Sequence, residues 1–205
     1  MSEIIYKFIL IGNSGVGKED FFRIFTTGKF YEKNTSTIGI EKKSFDLDLD
    51  VSNQNGKIET KKFNISLFDT AGQEKFRSII TLNYYKDADA CLFIYDITDK
   101  SSFVSVKSWI ENIKQSSSFM IKILIGNKLD LVEENPENRY VTEDEAKQMC
   151  DEYDIIYGGE HSFRNLDFEG LKKLLEKFVL EVYNRVGDTA FKKQRFKKDY
   201  KEKKV

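Results

Sequence analysis

A glycine-rich segment near the N-terminus has the composition of a phosphate-binding loop. It comprises Gly12, Asn13, Ser14, Gly15, Val16, Gly17 and Lys18. The segment lies between an apolar run and an amphipathic segment, which is the strand-to-helix context that such a loop requires. Its glycines let main-chain N–H groups converge on phosphate oxygens, the helix N-terminus adds partial positive charge, and Lys18 reaches the outer phosphates. The segment therefore predicts a polyphosphate site, and a chance glycine-rich turn is the alternative.

Glu19 follows Lys18 at the position where such a loop has Ser or Thr, whose hydroxyl binds Mg²⁺. A carboxylate can also bind Mg²⁺, but it is longer and adds negative charge beside the phosphates. At about 4 Å the repulsion costs about 1–4 kcal/mol. We therefore expect that the binding of Mg²⁺ and of a triphosphate is weakened more than the binding of a diphosphate. The alternative is that Glu19 turns to solvent and a water molecule replaces the hydroxyl.

A second motif, Asp69-Thr70-Ala71-Gly72-Gln73-Glu74, follows the apolar run Ile58–Phe68. An acid at the end of a strand can hold Mg²⁺ through the water shell of the ion. Gly72 lets a main-chain N–H approach a terminal phosphate, and Gln73 is placed to orient an attacking water molecule. The motif predicts phosphate hydrolysis, with Gln73 as the catalytic residue.

A third motif is Asn127-Lys128-Leu129-Asp130. The carboxylate of Asp130 can accept hydrogen bonds from both the N1–H and the exocyclic amine of guanine, whereas adenine presents the opposite pattern. Alone, this tetrapeptide fits a polar loop equally well. After the other two motifs, in this order, it predicts a site for GTP and GDP with Mg²⁺.

The motifs lie on a chain in which apolar runs alternate with amphipathic segments. The runs expected to form strands are Ile4–Ile11, Lys42–Val51, Ile58–Phe68, Ala90–Tyr95, Lys122–Ile125 and Asp154–Tyr157. The segments expected to form helices are Lys18–Thr27, Ser102–Gln115, one that begins at Thr142 with a capping box to Glu145, and one with apolar spacing from Leu166 to Val182. This order predicts an α/β fold with a mostly parallel six-stranded sheet and helices on both faces. In such sheets ligands bind beyond the carboxyl ends of the strands.

Composition and charge limit the classes of protein to which the chain can belong. The chain has 205 residues, 40% of them apolar, and a net charge of -1, which argues against nucleic-acid binding. Two cysteines and the lack of an apolar run of membrane-spanning length or of a signal peptide favour the cytoplasm. We expect one nucleotide-binding domain over residues 1–186 and a tail over residues 187–205. Residues 191–205 include eight Lys/Arg and two acidic residues and so carry +6, which leaves -7 on the rest of the chain.

Several further stretches resemble the Rab branch of the Ras superfamily of small GTPases. They are Ser36–Ile40, Asp69–Ser78, Tyr84-Tyr85, Tyr95–Thr98, Ser102-Phe103 and Trp109-Ile110. The resemblance extends from residue 4 to about residue 183. It implies a P-loop GTPase fold that hydrolyses GTP slowly and is accelerated by an arginine from a partner.

The resemblance assigns roles to matching positions. The nucleotide ligands it implies are residues 13–19 with Thr37, Asp69, Gly72, Asn127, Lys128, Asp130, Glu160 and His161, and the metal ligands are Thr37, Asp69 and Glu19. Thr37 and Gly72 would bind the terminal phosphate that hydrolysis removes, so both loops would then relax. Effector and regulatory proteins would recognise these two switch loops.

Two segments depart from the pattern of the family. Gly158–His161 replaces a Ser-Ala-Lys segment that binds guanine, so the main-chain N–H of Glu160 is the expected donor, and His161 falls at the lysine position and serves loop packing or base stacking. The hairpin between the switches, Asp46–Asn64, is several residues longer than usual, with an Asn55-Gly56 turn. Its alternating acids, Asp46, Asp48 and Asp50, suit either a weak cation site or a solvated strand face.

The C-terminus lacks the prenylated cysteine of Rab proteins. A basic tail without a lipid attracts anionic membranes only weakly, at about 1 kcal/mol for each well-placed residue. The alternatives for the tail are a contact with an acidic protein and a disordered solubilising segment. Two functions therefore remain open. One is a GTP/GDP switch in vesicle trafficking, and the other is a Rab-like structural subunit of a cytoskeletal or trafficking complex; the location would be cytoplasmic and peripheral to endomembranes or cytoskeleton.

Overall fold

The sheet has six strands that are mostly parallel, as the sequence predicts. The computed structural model describes residues 3–27, 40–52, 56–70, 85, 87–114 and 120–186. The strands are β1 (Ile4–Ile11), β2 (Ile40–Ser52), β3 (Ile58–Thr70), β4 (Ala90–Asp96), β5 (Ile121–Asn127) and β6 (Ile156–Glu160). Their order in the sheet is β2-β3-β1-β4-β5-β6, and β2 alone runs antiparallel to its neighbour. The predicted α/β fold with a mostly parallel six-stranded sheet is confirmed.

Helices connect the parallel strands. They are α1 (Lys18–Thr27), α2 (Lys100–Lys114), α3 (Leu129–Glu134), α4 (Glu143–Tyr153) and α5 (Phe168–Val186). The capping box predicted for α4 is present, because the Thr142 hydroxyl accepts from the amide of Glu145 at 3.2 Å and the Glu145 carboxylate accepts from the amide of Thr142 at 3.0 Å. None of these helices combines the length and the apolar character needed to cross a membrane.

Two hydrophobic layers hold the sheet between the helices. Phe8 and Leu10 of β1 pack in the layer that includes α1 and α5, whereas Ile9 and Ile11 pack in the layer that includes α2 and α4. All seven residues of β4 are buried. A strand buried on both faces gives a continuous apolar run, which is why β1 and β4 lack a clear alternation in the sequence. The loops that follow these strands are therefore held by a rigid support.

The last strand differs from the prediction in its bounds. β6 begins at Ile156 rather than Asp154, since Asp154 adopts a left-handed conformation (φ 52°) that ends α4. β6 also continues through Gly158 and Gly159 to Glu160, residues that the sequence placed in a loop. A Cβ at Gly158 would lie 2.9 Å from the carbonyl oxygen of Leu124. Gly158 thus permits a close approach between β5 and β6.

The hairpin of β2 and β3 pairs from Ile40 with Thr70 to Ser52 with Ile58, and Asn55 of the predicted turn lies outside the described residues. Asp46 accepts a hydrogen bond from Asn64 at 2.6 Å, and Asp50 accepts one from Thr60 at 2.7 Å. Within the described ranges there is no group of three or more His, Cys, Asp or Glu that could hold a metal ion. Asp46, Asp48 and Asp50 are exposed while Leu47 and Leu49 are buried, as expected for a solvated strand face.

Candidate nucleotide-binding site

The three motifs meet at the carboxyl edge of the parallel sheet. The glycine-rich loop follows β1, Asp69 is the second-last residue of β3, and Asn127 is the last residue of β5. Because β3, β1, β4 and β5 are consecutive in the sheet and parallel, their carboxyl ends lie along one edge. This edge is where parallel α/β sheets bind their ligands.

The glycine-rich loop curves around the ammonium group of Lys18. Gly15 (φ 79°) and Gly17 (φ 102°) have left-handed backbone conformations that other residues rarely adopt. Lys18 is buried, and its Nζ donates to the carbonyl oxygens of Gly12 at 2.7 Å and Asn13 at 2.6 Å. A positive charge thus lies beneath a loop whose next residues open helix α1, and both features attract an anion.

The side chain of Asn127 joins the glycine-rich loop to the segment after β6. Its Nδ2 donates to the carbonyl oxygen of Val16 at 2.9 Å, and its Oδ1 accepts from the amide of Phe163, also at 2.9 Å. A Cβ at Gly17 would lie 2.1 Å from this Nδ2, so the contact requires glycine. Asn127 is therefore a link between the phosphate side and the base side of the site, a role that its motif alone did not indicate. Its predicted contact with the base stays a prediction.

Lys128 and Asp130 lie at the start of α3. Lys128 is left-handed (φ 72°), an uncommon conformation for a residue with a side chain, and its Nζ lies 2.5 Å from Oδ2 of buried Asp96. Asp96 also accepts from the amide of Thr98 at 2.8 Å. Asp130 is buried in the first turn of α3. The motif therefore follows β5 in the chain and also contacts Asp96, the last residue of β4.

Asp69 supplies a carboxylate oxygen that lacks a protein partner. The residue is 1% exposed, and among the described residues its Oδ1 has no hydrogen bond. Burial raises the pKa of this carboxyl to about 6; the Lys18 charge lowers it, and the charges of Glu19 and Glu41 raise it further. A buried acceptor beside a lysine fits a hydrated Mg²⁺, which uses one or two carboxylates together with phosphate oxygens. The residues present therefore suit the metal that the motifs imply.

We expect Asp69→Asn to stabilise the nucleotide-free protein near neutral pH. A carboxyl whose pKa is higher in the folded state costs little stability below its unfolded value of 3.8. The cost grows as the pH rises from there and is complete above about 6. The shift corresponds to about 3 kcal/mol at pH 7.5. Urea unfolding at pH 4 and pH 7.5 should show the gain at the higher pH alone, and Asp48→Asn on the exposed face of β2 is the matched control. An equal gain at both pH values would contradict the prediction.

A comparison with protein families agrees with the geometry. Residues 7–184 match the model of the Ras family. The chain belongs to the Ras family. Its similarity is greatest to Rab proteins: it is 36% identical over 187 residues to Ras-related protein Rab-8B of Dictyostelium discoideum, covering 89% of this chain and 85% of that protein. It is 38% identical over 188 residues to Ras-related protein RAB1BV of Beta vulgaris, covering 91% and 80%. Against the GTP-binding protein yptV2 of Volvox carteri the identity is 40% over 152 residues, covering 74% and 64%.

This Rab-like protein keeps Glu19 close to an arginine. Glu19 Oε2 lies 3.7 Å from Nη2 of Arg23, one turn further along α1, and its side chain is 29% exposed. Burial raises the pKa of the neighbouring Asp20, which Arg23 lowers and Glu19 raises. Arg23 thus offsets part of the negative charge at the start of α1. Both expectations for Glu19, as a metal ligand or as a side chain turned to solvent, stay predictions.

Glu160, the last residue of β6, and His161, the next residue, bond to other parts of the protein. The carboxylate of Glu160 accepts two hydrogen bonds of 2.7 Å from the guanidinium of Arg139. The main-chain amide of His161 donates to the carbonyl oxygen of Gly126 at 2.8 Å. The ring Nε2 of His161 lies 3.0 Å from the carbonyl oxygen of Gly158. The His161 ring therefore packs locally. The expected base contacts of Glu160 and His161 stay predictions.

Ser162 is a candidate binding residue that the sequence did not indicate. The amides of His161 and Phe163 on either side are bonded to Gly126 and Asn127, whereas the Ser162 amide has no hydrogen bond within the described part of the chain. This N–H is a main-chain donor next to the Asn127 motif. Because it belongs to the backbone, no residue type in the sequence signals it.

Three predicted residues, Thr37, Gly72 and Gln73, lie outside the described residues. Their roles toward the terminal phosphate, the metal and the attacking water stay predictions.

Proposed function

We propose that this Rab-like protein binds GTP and GDP with Mg²⁺, hydrolyses GTP slowly and acts as a switch that recruits effector proteins in intracellular trafficking. The observation that carries the proposal is the Asn127 side chain, which bonds both to the glycine-rich loop at Val16 and to the base-side segment at Phe163. The phosphate-binding and base-binding elements are thereby one hydrogen-bonded unit. Such a unit suits a ligand that has both a polyphosphate and a purine.

Each part of this site has a distinct task. Lys18 and the loop amides bind the phosphates, and Asp130 accepts hydrogen bonds from guanine. Asp69 holds the hydrated Mg²⁺, which neutralises phosphate charge. Gln73 orients the attacking water, while Thr37 and Gly72 respond to the terminal phosphate.

We place the protein in the cytoplasm, where its basic tail would make weak contact with endomembranes or cytoskeleton. Effectors and regulators would bind the two switch loops, and nucleic acid is not among the proposed partners.

The nucleotide content of the purified protein tests the proposal directly. The protein is denatured with and without prior EDTA treatment, and the supernatant is separated by ion-exchange chromatography. We expect about one GDP for each chain, lost after EDTA treatment and replaceable by GTP. An empty protein would contradict guanine-nucleotide binding, and bound GTP that neither exchanges nor is hydrolysed would contradict a switch.

Gln73→Leu tests hydrolysis separately from binding. Losing the group that orients water should slow single-turnover GTP hydrolysis by at least tenfold, with little change in GDP affinity. Gln54→Leu, in the hairpin between the switches, is the matched control. An unchanged hydrolysis rate in Gln73→Leu would mean that this residue does not position water.

A second candidate function is favoured by Glu19. A carboxylate in place of a Ser or Thr hydroxyl, near the Asp69 carboxylate, suits a protein that holds one nucleotide without turnover as a subunit of a larger complex. Such a protein would co-purify with a fixed partner, and Gln73→Leu would leave it unchanged.

Glu19→Ser tests whether this carboxylate weakens the binding of Mg²⁺ and GTP. Removing the charge and restoring a hydroxyl should raise GTP affinity about tenfold in Mg²⁺ while raising GDP affinity less, since the additional phosphate carries the additional charge. Calorimetric titrations of both nucleotides with and without Mg²⁺ measure this difference. Glu3→Ser, before β1, is the control. If both nucleotides gain equally, or neither gains, Glu19 already lies clear of the phosphate and the metal.

A further inference from the structure

Helix α2 holds the glycine-rich loop through the side chain of Asn13. The indole Nε1 of Trp109 donates to Oδ1 of Asn13 at 3.3 Å, and Nδ2 of Asn13 donates to Oγ of Ser105 at 3.0 Å. Ser105 in turn donates to the carbonyl oxygen of Ser101 at 2.8 Å. Both ends of the Asn13 amide therefore bond to one helix, more than ninety positions away along the chain.

The donors and acceptors fix the orientation of this amide. The indole N–H can only donate, so it must face the oxygen of Asn13. The Ser105 hydroxyl uses its hydrogen for Ser101 and so presents a lone pair to the nitrogen of Asn13. A rotation of the amide by 180° would place two donors together at Trp109 and two acceptors together at Ser105. The three side chains thus form a matched set.

Asn13 also touches the group that binds phosphate. Its carbonyl oxygen accepts from Nζ of Lys18 at 2.6 Å, while its side chain bonds to α2. The indole of Trp109 is buried in the layer that contains α2 and α4. A continuous path of hydrogen bonds therefore leads from a packed tryptophan on α2, through Asn13, to the ammonium group in the loop.

We propose that Trp109 and Ser105 are positioning residues for the phosphate site, because they hold Asn13 and through it the loop conformation that Lys18 requires. The inference rests on the proposed binding of guanine nucleotide. It adds that α2 sets the lifetime of the bound nucleotide. Trp109 is the only tryptophan of the chain, so its fluorescence reports the phosphate loop directly.

Nucleotide dissociation measures this role. Wild-type protein, Trp109→Phe and Ser105→Ala are loaded with a fluorescent GDP analogue and chased with excess GDP. Phe keeps most of the aromatic packing and removes the N–H, and Ala removes the hydroxyl alone. Losing one such hydrogen bond should speed dissociation roughly threefold to tenfold in each variant. Ser108→Ala, on the exposed side of the same helix, should dissociate at the wild-type rate.

Two further measurements distinguish a positioning role of Trp109 and Ser105 from a general effect on the stability of the protein. Thermal unfolding of the nucleotide-free proteins should leave Ser105→Ala within a few degrees of Ser108→Ala, although the two differ in dissociation rate. The tryptophan emission of the wild type should change when GDP leaves, and this change should be smaller in Asn13→Ala. If Trp109→Phe fails to fold, Ser105→Ala decides the question.

The outcomes are distinct. A wild-type protein that binds no GDP analogue overturns both the inference and the proposed function. A wild type that binds it, with Ser105→Ala and a folded Trp109→Phe dissociating at the wild-type rate, overturns the inference alone. Faster dissociation in step with a loss of thermal stability in all three helix variants also overturns it, since α2 would then act only through packing.

Discussion

Replacing Asp130 with Asn is expected to lower the affinity for GDP about a thousandfold and to raise the affinity for xanthosine diphosphate. In the proposed site the carboxylate would accept hydrogen bonds from two guanine donors, N1–H and the exocyclic amine. Asn keeps one acceptor but turns a donor toward the amine, so one bond is lost and its partner is left unsatisfied. The lost charge-assisted hydrogen bond costs about 2 kcal/mol and the unsatisfied amine about 2 kcal/mol more, which together account for this magnitude.

A comparison with xanthosine diphosphate tests whether Asp130 recognises the base. Xanthine has a carbonyl oxygen where guanine has the amine, so the new Nδ2 donor of Asn would meet an acceptor. Competition of GDP and xanthosine diphosphate against a labelled nucleotide, for the wild type and for Asp130→Asn, gives the four affinities. Asp151→Asn on the exposed side of α4 is the control for the loss of one charge. Equal losses for both nucleotides would mean that Asp130 supports the fold and does not read the base.

The positions of the motifs could be predicted because each follows a buried strand. The segments before Gly12 and Asn127 are mainly apolar, and the segment before Asp69 alternates apolar and polar residues. A parallel sheet brings their carboxyl ends together whatever the loops contain. Residue types and order then predict the phosphate loop and the guanine motif. The fold and the place of the site thus follow from apolar patterning and a few glycines.

The contacts between the motifs could not be predicted, because they depend on tertiary distances. Nothing in the sequence indicates that Asn127 spans from Val16 to Phe163, or that Asn13 bonds to Trp109. The Gly158-Gly159 pair led to a wrong prediction. A glycine pair is typical of a turn, but here it lies in β6, where Gly158 makes room for the backbone of β5.

Lys18→Met should weaken GDP binding by a factor on the order of a hundred to a thousand while the preference for guanine is kept. The ammonium is buried beneath the loop and bonds to the carbonyl oxygens of Gly12 and Asn13, and phosphate oxygens are stronger, charged acceptors for the same group. Met fills a similar volume, so the loss reflects charge and hydrogen bonding rather than a cavity. Lys42→Met, at an exposed position of β2, is the matched control.

The double variant Lys18→Met/Asp130→Asn shows whether the two halves of the site act separately. The proposed contacts of Lys18 and Asp130 are with opposite ends of the ligand, and the two residues lie on different helices. Their effects on GDP binding should therefore add within about 0.5 kcal/mol. The measurement is the GDP affinity of the wild type, both single variants and the double variant, by calorimetry. A coupling energy above 1 kcal/mol would mean that the phosphate loop and the guanine motif move together. The Asn127 side chain would then be the connection to test, because it bonds to the loop at Val16 and precedes Lys128 and Asp130 in the chain.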